Sequence, residues 1–188
     1  CESEKQLNTN LHTTVYKVKK TLLSANIKFD FTFINGRYKM ELPDVYIDTA
    51  EFEAITNTEI ALSATSIERY KKALGLYTGN YLEENGYFWS QSKAEKYFKR
   101  YRSLVSEFTK YYATKTDYAN AEEILQKALT KAPLDDDLNE MLLKLFFMKK
   151  DTASLITNYN KIKDLYQSEL GIAPNTTMQE LLRGIFEL

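Results

Sequence analysis

The chain has 188 residues, 44% hydrophobic and 27% charged, with a formal net charge of -1. That length suits one good-sized domain, or one domain plus part of another, and the composition is ordinary for a globular protein. One Cys rules out an intramolecular disulfide, and no apolar run nears the ~20 residues of a membrane helix, so the expectation is a cytoplasmic protein with no membrane partner. No signal peptide is visible, and a chain starting at Cys1 rather than Met reads as N-terminally truncated. Six Gly and three Pro are few punctuators, which points to long helices.

Asn8-Thr9-Asn10 reads as a helix cap, followed by an apolar stripe of Leu11, Val15, Val18 and Leu22 at steps of 4, 3 and 4. At about 100° per residue, Thr9, His12, Thr13, Tyr16, Lys17 and Lys20 fall on the opposite half. β-Branched Thr13, Thr14, Val15 and Val18 are poor helix formers, so this helix needs tertiary support. Phe29, Phe31 and Phe33 then alternate with Asp30 and Thr32, and Tyr38, Met40 and Leu42 with Arg37, Lys39 and Glu41. Asn35-Gly36 between them is a hairpin turn signal, because both residues tolerate positive φ. A lone hairpin is marginal in water, so it should pack on the preceding helix. Lys5 to Lys39 holds seven bases (Lys5, Lys17, Lys19, Lys20, Lys28, Arg37, Lys39) against Asp30, an excess of +6 on an otherwise acidic chain. Such a segment suits an anionic partner, or else is a solvated face.

Beyond residue 48 the reading is helical. Asp48 opens a short helix with Phe52 and Ile55 inward, and residues 56–64 form a loop. Ser66 caps a helix with Ile67, Tyr70, Ala73, Leu74 and Tyr77, and Gly79 to Gly86 is a connector. A long helix from about Trp89 to Ala113 carries the stripe Tyr97, Tyr101, Leu104, Phe108 and Tyr112. Asp117-Tyr118-Ala119 and Asp151-Thr152-Ala153 lie 34 residues apart, the period of tetratricopeptide helix pairs. Ile124, Leu125, Ala128 and Leu129 line the first helix of that repeat, which Pro133 breaks. Leu138, Met141, Leu142, Leu145 and Phe146 line the next, with acids at its start and Lys149-Lys150 at its end, as the helix dipole favours. Leu155, Tyr159, Ile162, Tyr166 and Leu170 form the stripe of the following helix, stopped by Gly171. Thr177 with Glu180 reads as a capping box for a last helix, Met178 to Phe186.

Catalytic chemistry has no signature in this sequence. There is no phosphate-binding glycine loop and no nucleophile elbow. One His and one Cys cannot build a zinc site, and Glu83-Glu84 and Asp135-Asp136-Asp137 sit where helix ends expect acids. No cofactor, metal or catalytic residue is assigned, and the chain is read as not an enzyme. Most tyrosines lie on helical stripes, so they read as core rather than as a base-stacking platform. The basic helix and hairpin remain as the site candidate, because an α-helix fits the DNA major groove. Thr9, Asn10, His12, Thr13, Tyr16, Lys17 and Lys20 are its candidate contacts, Asn for adenine and the hydroxyls and lysines for phosphates. His12 has an alternative reading as an ordinary exposed helix residue. Asn35 and Arg37 at the hairpin tip could reach an adjacent minor groove.

These residues carry a resemblance. Residues 7 to 42 resemble the recognition helix and wing of an OmpR-type winged helix. Residues 48 to 188 resemble the bacterial transcriptional activator domain, on Asp48 with Phe52, Ala73-Leu74-x-x-Tyr77-x-Gly79, Trp89, Ala121, Pro133-Leu134, and Tyr159 through Glu169-Leu170-Gly171 to Pro174. The architecture is similar to that of the Streptomyces antibiotic regulatory protein family and related response regulators. The expected fold is mostly α. A TPR-like helical-repeat domain (residues 48–188) follows the C-terminal part of a winged-helix domain (residues 1–47) made of recognition helix and β-hairpin wing. The resemblance implies a transcriptional activator whose partners are double-stranded promoter DNA, RNA polymerase and a second copy in a homodimer. It assigns the Leu11–Leu23 helix as recognition helix and Asn35-Gly36-Arg37 as wing tip. The strands and helices that precede such a recognition helix are absent from this sequence, and Lys17, Lys19 and Lys20 stand where the family often has Arg. The alternative from the residues alone is a helical-repeat adaptor that binds protein and no DNA.

Overall fold

A computed structural model describes residues 4–43 and 45–184, with the backbone alone at residues 4 and 5. Cys1, the side chain of Lys5 and the expected end of the last helix at Phe186 lie outside the described residues. The chain divides into two compact units, Cys1–Ile47 and Asp48–Leu188.

The first unit is one helix and one hairpin. Helix α1 spans Glu4–Ser24. It starts earlier than expected, so Asn8, Thr9 and Asn10 are interior rather than capping residues. The hydroxyls of Thr13, Thr14 and Thr21 donate to the carbonyls of Thr9, Asn10 and Lys17 at 2.9, 2.9 and 3.0 Å. These back-bonds let β-branched residues sit in a helix at the cost of their hydroxyl protons. Strands β1 (Asp30–Ile34) and β2 (Arg37–Glu41) pair antiparallel, with Phe31 opposite Met40 and Phe33 opposite Tyr38. Asn35 (φ 51) and Gly36 (φ 75) make the two-residue turn expected of an Asn-Gly pair, matched to the strand twist.

The second unit contains the helices α2 (Asp48–Thr56), α3 (Ile67–Leu76), α4 (Gln91–Thr114), α5 (Tyr118–Leu129), α6 (Asp136–Lys149), α7 (Thr152–Leu170) and α8 (Thr176–Arg183). Single 3-10 turns at Glu83–Asn85 and Phe88–Ser90 lie in the connector before α4. Helix α2 packs on α3, α4 on α5, α5 on α6, and α6 on α7. Helix α6 also packs against α4 and α8. One core runs through the unit, from Phe52 and Tyr97 past Leu104 and Phe108 to Leu125, Leu138, Leu155 and Met178. Tyr77 stacks on Tyr101 with centroids 4.2 Å apart, so the aromatic stripes read from the sequence meet as flat rings inside this core.

The 34-residue repeat is a repeat of geometry. Thr116 and Lys150 are both left-handed at φ 58. The next residues, Asp117 and Asp151, cap α5 and α7 by accepting from the amides of Asn120 at 3.3 Å and Ser154 at 3.1 Å. Their own amides close the preceding helices on Tyr112 and Phe146, 2.9 and 3.0 Å away.

Three local expectations change. Ser66 precedes α3 but makes no capping bond to it; its hydroxyl donates to the Ala61 carbonyl at 2.9 Å and accepts the Ser63 amide, tying the loop instead. The cap of α8 is Asn175, whose Oδ1 accepts the Met178 amide at 3.0 Å, so Thr177 lies inside the first turn and forms no capping box. Leu170 is half exposed, and the buried stripe of α7 ends at Tyr166, because Gly171 (φ 69) turns the chain one residue later. Pro174 is fully buried, and its carbonyl accepts from the Gln179 side chain at 2.7 Å. The Gly171 to Pro174 segment thus locks the α7–α8 corner.

Candidate nucleic-acid interface

In the first unit the aromatic face of the hairpin decides how α1 is oriented. Phe33 and Tyr38 sit 4.6 Å apart by ring centroids, with Phe31 beside Tyr38. His12 meets this cluster edge-on, 6.3 Å from Phe33 and 5.8 Å from Tyr38, and its Nδ1 shares a hydrogen bond with the Tyr38 hydroxyl. Lys19 lies 5.0 Å over the Phe31 ring, where the negative ring face attracts its ammonium. Val15 and Leu22 are half-buried on the same side. The face turned to the hairpin is therefore His12, Val15, Lys19 and Leu22.

The sequence stripe is rotated from this. Leu11 and Val18 are exposed at 47% and 37%, together with Leu7 on the same flank. A ring and a long alkyl-ammonium pack on aromatic rings as well as Leu does, so apolarity alone misplaces the contact face.

Thr9, Asn10, Thr13, Tyr16, Lys17 and Lys20 are all exposed on α1. Spaced by 4, 4 and 3, Thr9, Thr13, Lys17 and Lys20 share one ridge. The Thr13 hydroxyl proton is spent on the Thr9 carbonyl, so Thr13 offers an acceptor and a methyl rather than a donor. Asn35 and Arg37 are exposed at the hairpin tip, away from the helix ridge in sequence and in strand register. His12 is set apart from the other candidates by its bond to Tyr38. Of the seven bases, Lys19 is engaged with Phe31, and Lys39 pairs with Glu41, which raises the Lys39 pKa through that hydrogen bond. The solvent-facing cations that remain nearest the ridge and tip are Lys17, Lys20 and Arg37.

In the second unit α4 carries Lys99, Arg100 and Arg102, a basic cluster not singled out from the sequence. Its signal was the run Lys99-Arg100-Tyr101-Arg102 inside a helix whose Tyr101 is core. Arg102 bridges Asp135 at 3.0 Å and Asp137 at 2.6 Å at the start of α6. Asp135 also caps α6, and Asp136 Oδ1 accepts from the Tyr166 hydroxyl, so each acid of the triplet has a structural partner. Among the described residues no group of His, Cys, Asp and Glu is placed to hold a metal ion, and no helix is long and apolar enough to cross a membrane.

The family model described as "Bacterial transcriptional activator domain" matches residues 47–186. No curated protein matches the chain. Among solved structures, that titled "Mycobacterium tuberculosis EmbR in complex with low affinity phosphopeptide" superposes with a TM-score of 0.61 at 16% identity, over 96% of this chain and 50% of that one. The likeness is one of fold: a mostly helical, TPR-like unit with a small hairpin before it. This chain spans half the length of that structure's chain. The match over most of its residues, on the helical repeat just described, shows that the chain belongs to the bacterial transcriptional activator domain family, a family of transcription regulators.

Proposed function

We propose that this chain is part of a DNA-binding transcriptional activator. The first unit, residues 1–47, acts as the C-terminal part of a winged-helix domain and grips promoter DNA, while the second contacts RNA polymerase or a second subunit. The observation that carries this reading is the ridge of α1 that points away from the hairpin. It is polar and basic, holds Lys17 and Lys20 among hydroxyls and an amide, and carries no carboxylate among the described side chains. An α-helix enters the major groove, where Asn10 is the residue suited to adenine and Lys17 and Lys20 to phosphates. The tip at Asn35 and Arg37 suits the neighbouring minor groove. Lysine holds phosphate as a point charge, so affinity here rests more on backbone than on base contacts. A TPR-like unit fits protein contact, and a regulator, not an enzyme, is the role proposed.

Anisotropy of labelled promoter fragments tests this, using the chain and a version extended at its N-terminus to complete the winged helix. Three phosphate contacts, from Lys17, Lys20 and Arg37, give a slope of log affinity against log salt of about -3, and roughly 40-fold weaker binding from 50 to 200 mM salt. Lys17→Glu with Lys20→Glu should cut that slope to about -1. Salt-independent binding, or none by the extended protein, would sink the proposal. Transcription control that survives the double variant would instead favour a protein-binding adaptor without DNA contact.

A further inference from the structure

A groove runs along α4 within the second unit, with α6 opposite and the loop after α2 at one end. Its apolar stretch, of about 480 Å³, is floored by Ala113, Met141, Leu145 and Met148. Through Ser106, Lys110 and Met141 it continues into a polar stretch of about 620 Å³ that reaches Lys99 and Arg100. The charges there are unevenly matched. Arg102 is held by Asp135 and Asp137, and Lys110 by Glu107 at 2.7 Å. Lys99 has no carboxylate partner among the described residues. Arg100 donates from Nη2 to Asn57 Oδ1 at 2.7 Å, but its Nη1 is buried and has no acceptor among the described residues. Glu59 is the remaining carboxylate on this lining. Two cations therefore face one acid, and one buried guanidinium nitrogen lacks the oxygen that such groups nearly always have.

We propose that this groove binds a segment of a partner protein carrying an acidic residue at the Lys99–Arg100 end and bulky apolar side chains along Met141, Leu145 and Met148. The charge complementarity selects acid at one end, where a swing of the long Arg100 side chain brings Nη1 to a carboxylate. The methionines supply an adaptable apolar floor for side chains of more than one shape. From Lys99 to Thr114, α4 runs about 22 Å at its ~1.5 Å rise per residue, room for four turns of helix or for about seven extended residues. A basic segment is disfavoured by Lys99 and Arg100. Nucleic acid is disfavoured by an apolar floor flanked by Asp137 and Glu140, which offers no exposed ring for a base. The inference rests on the reading of the helical unit as the protein-contacting part, and not on DNA binding by the first unit.

The test is display selection of random peptides of roughly 15 residues, long enough to fill such a groove as helix or strand, on the full chain, then anisotropy of the enriched labelled peptides. Enriched sequences should place Asp or Glu beside Leu, Ile, Phe or Met in a common register. Lys99→Glu and Met148→Glu, both at exposed positions, should each weaken binding about tenfold with circular dichroism unchanged. Lys17→Glu with Lys20→Glu should leave peptide affinity intact, so DNA binding and groove binding fail separately. No enriched peptide, enrichment without acids, or affinities that both groove variants leave unchanged overturn the proposal.

Discussion

Asn139 ties down the turn between α5 and α6, and its loss should cost more than any other single polar side chain of the core. It is 2% exposed. Its Nδ2 donates to the carbonyls of Pro133 at 2.9 Å and Asp135 at 3.0 Å, spending both amide protons on backbone. Asn139→Ala removes two bonds worth about 1 kcal/mol each and leaves the Pro133 carbonyl poorly satisfied, while Asp135 keeps the Asn139 backbone amide, for a total of about 3 kcal/mol. For a unit of Asp48–Leu188, with an unfolding entropy of roughly 0.3 kcal/mol/K, that is a Tm lower by about 10 °C. Asn139→Asp has the same shape but no donors and sets a carboxylate against two carbonyls, so it should be worse than Ala at neutral pH. Tyr166 completes the cluster; its hydroxyl donates to Asp136 Oδ1 at 2.6 Å and also lies 3.2 Å from the Leu134 carbonyl. The Asn139 amide is 3.5 Å from that hydroxyl, so the two side chains share one network and Tyr166→Phe with Asn139→Ala should depart from additivity by ~0.5 kcal/mol or more. Urea unfolding followed by far-ultraviolet circular dichroism measures the unsubstituted chain, the three single variants and the double variant. A loss below about 1 kcal/mol for Asn139→Ala, or an Asp variant milder than the Ala variant, would refute the argument.

Thr116 is a β-branched residue held at φ 58, so Thr116→Gly should stabilise the protein by about 1 kcal/mol in the same unfolding assay, and no gain would mean the turn is unstrained. The Tyr77 hydroxyl is pushed up to about 12, by burial first and then by Tyr101 and Glu83. A raised phenol pKa means stability that is intact below the unfolded value of about 10 and lost as pH rises from there through 12; Tyr77→Phe should flatten that alkaline fall, measured as Tm against pH. Asp151 has its pKa lowered, chiefly by the Ser154 amide and hydroxyl and then by Lys149. Its contribution is present above the unfolded pKa of about 4 and fades as pH falls through the lower folded value, so the Asp151→Asn difference should shrink toward acid pH in a thermal titration.

Much of this protein is local and therefore legible. Asn35-Gly36 specifies its turn through φ alone, and Asp117 and Asp151 specify their caps through a bond three residues long. The stripes of α4, α5 and α6 follow the helical period because each has an apolar core on one side. The family resemblance was legible for the same reason, since Gly171 and Pro174 shape a corner within a few residues. Where local signals compete, the chain does not say which wins. Asn175 outcompetes Thr177 as the cap of α8, Ser66 bonds to its loop instead of its helix, and α1 starts before its apparent cap.

The candidate interface shows the same division. Its residues could be named from charge and period, because exposure on a helix follows from 100° steps. The rotation of α1 could not, because His12 and Lys19 count as polar on their own and become packing groups only against Phe31, Phe33 and Tyr38. The groove lay further out of reach: Arg100, Asn57, Met141 and Met148 come together only when α2, α4 and α6 stack. Sequence alone determined the elements, their turns and the basic face, since each depends on neighbours along the chain. Tertiary structure decided which face is covered and which guanidinium nitrogen is left without an acceptor among the described residues, since both depend on atoms supplied by distant segments.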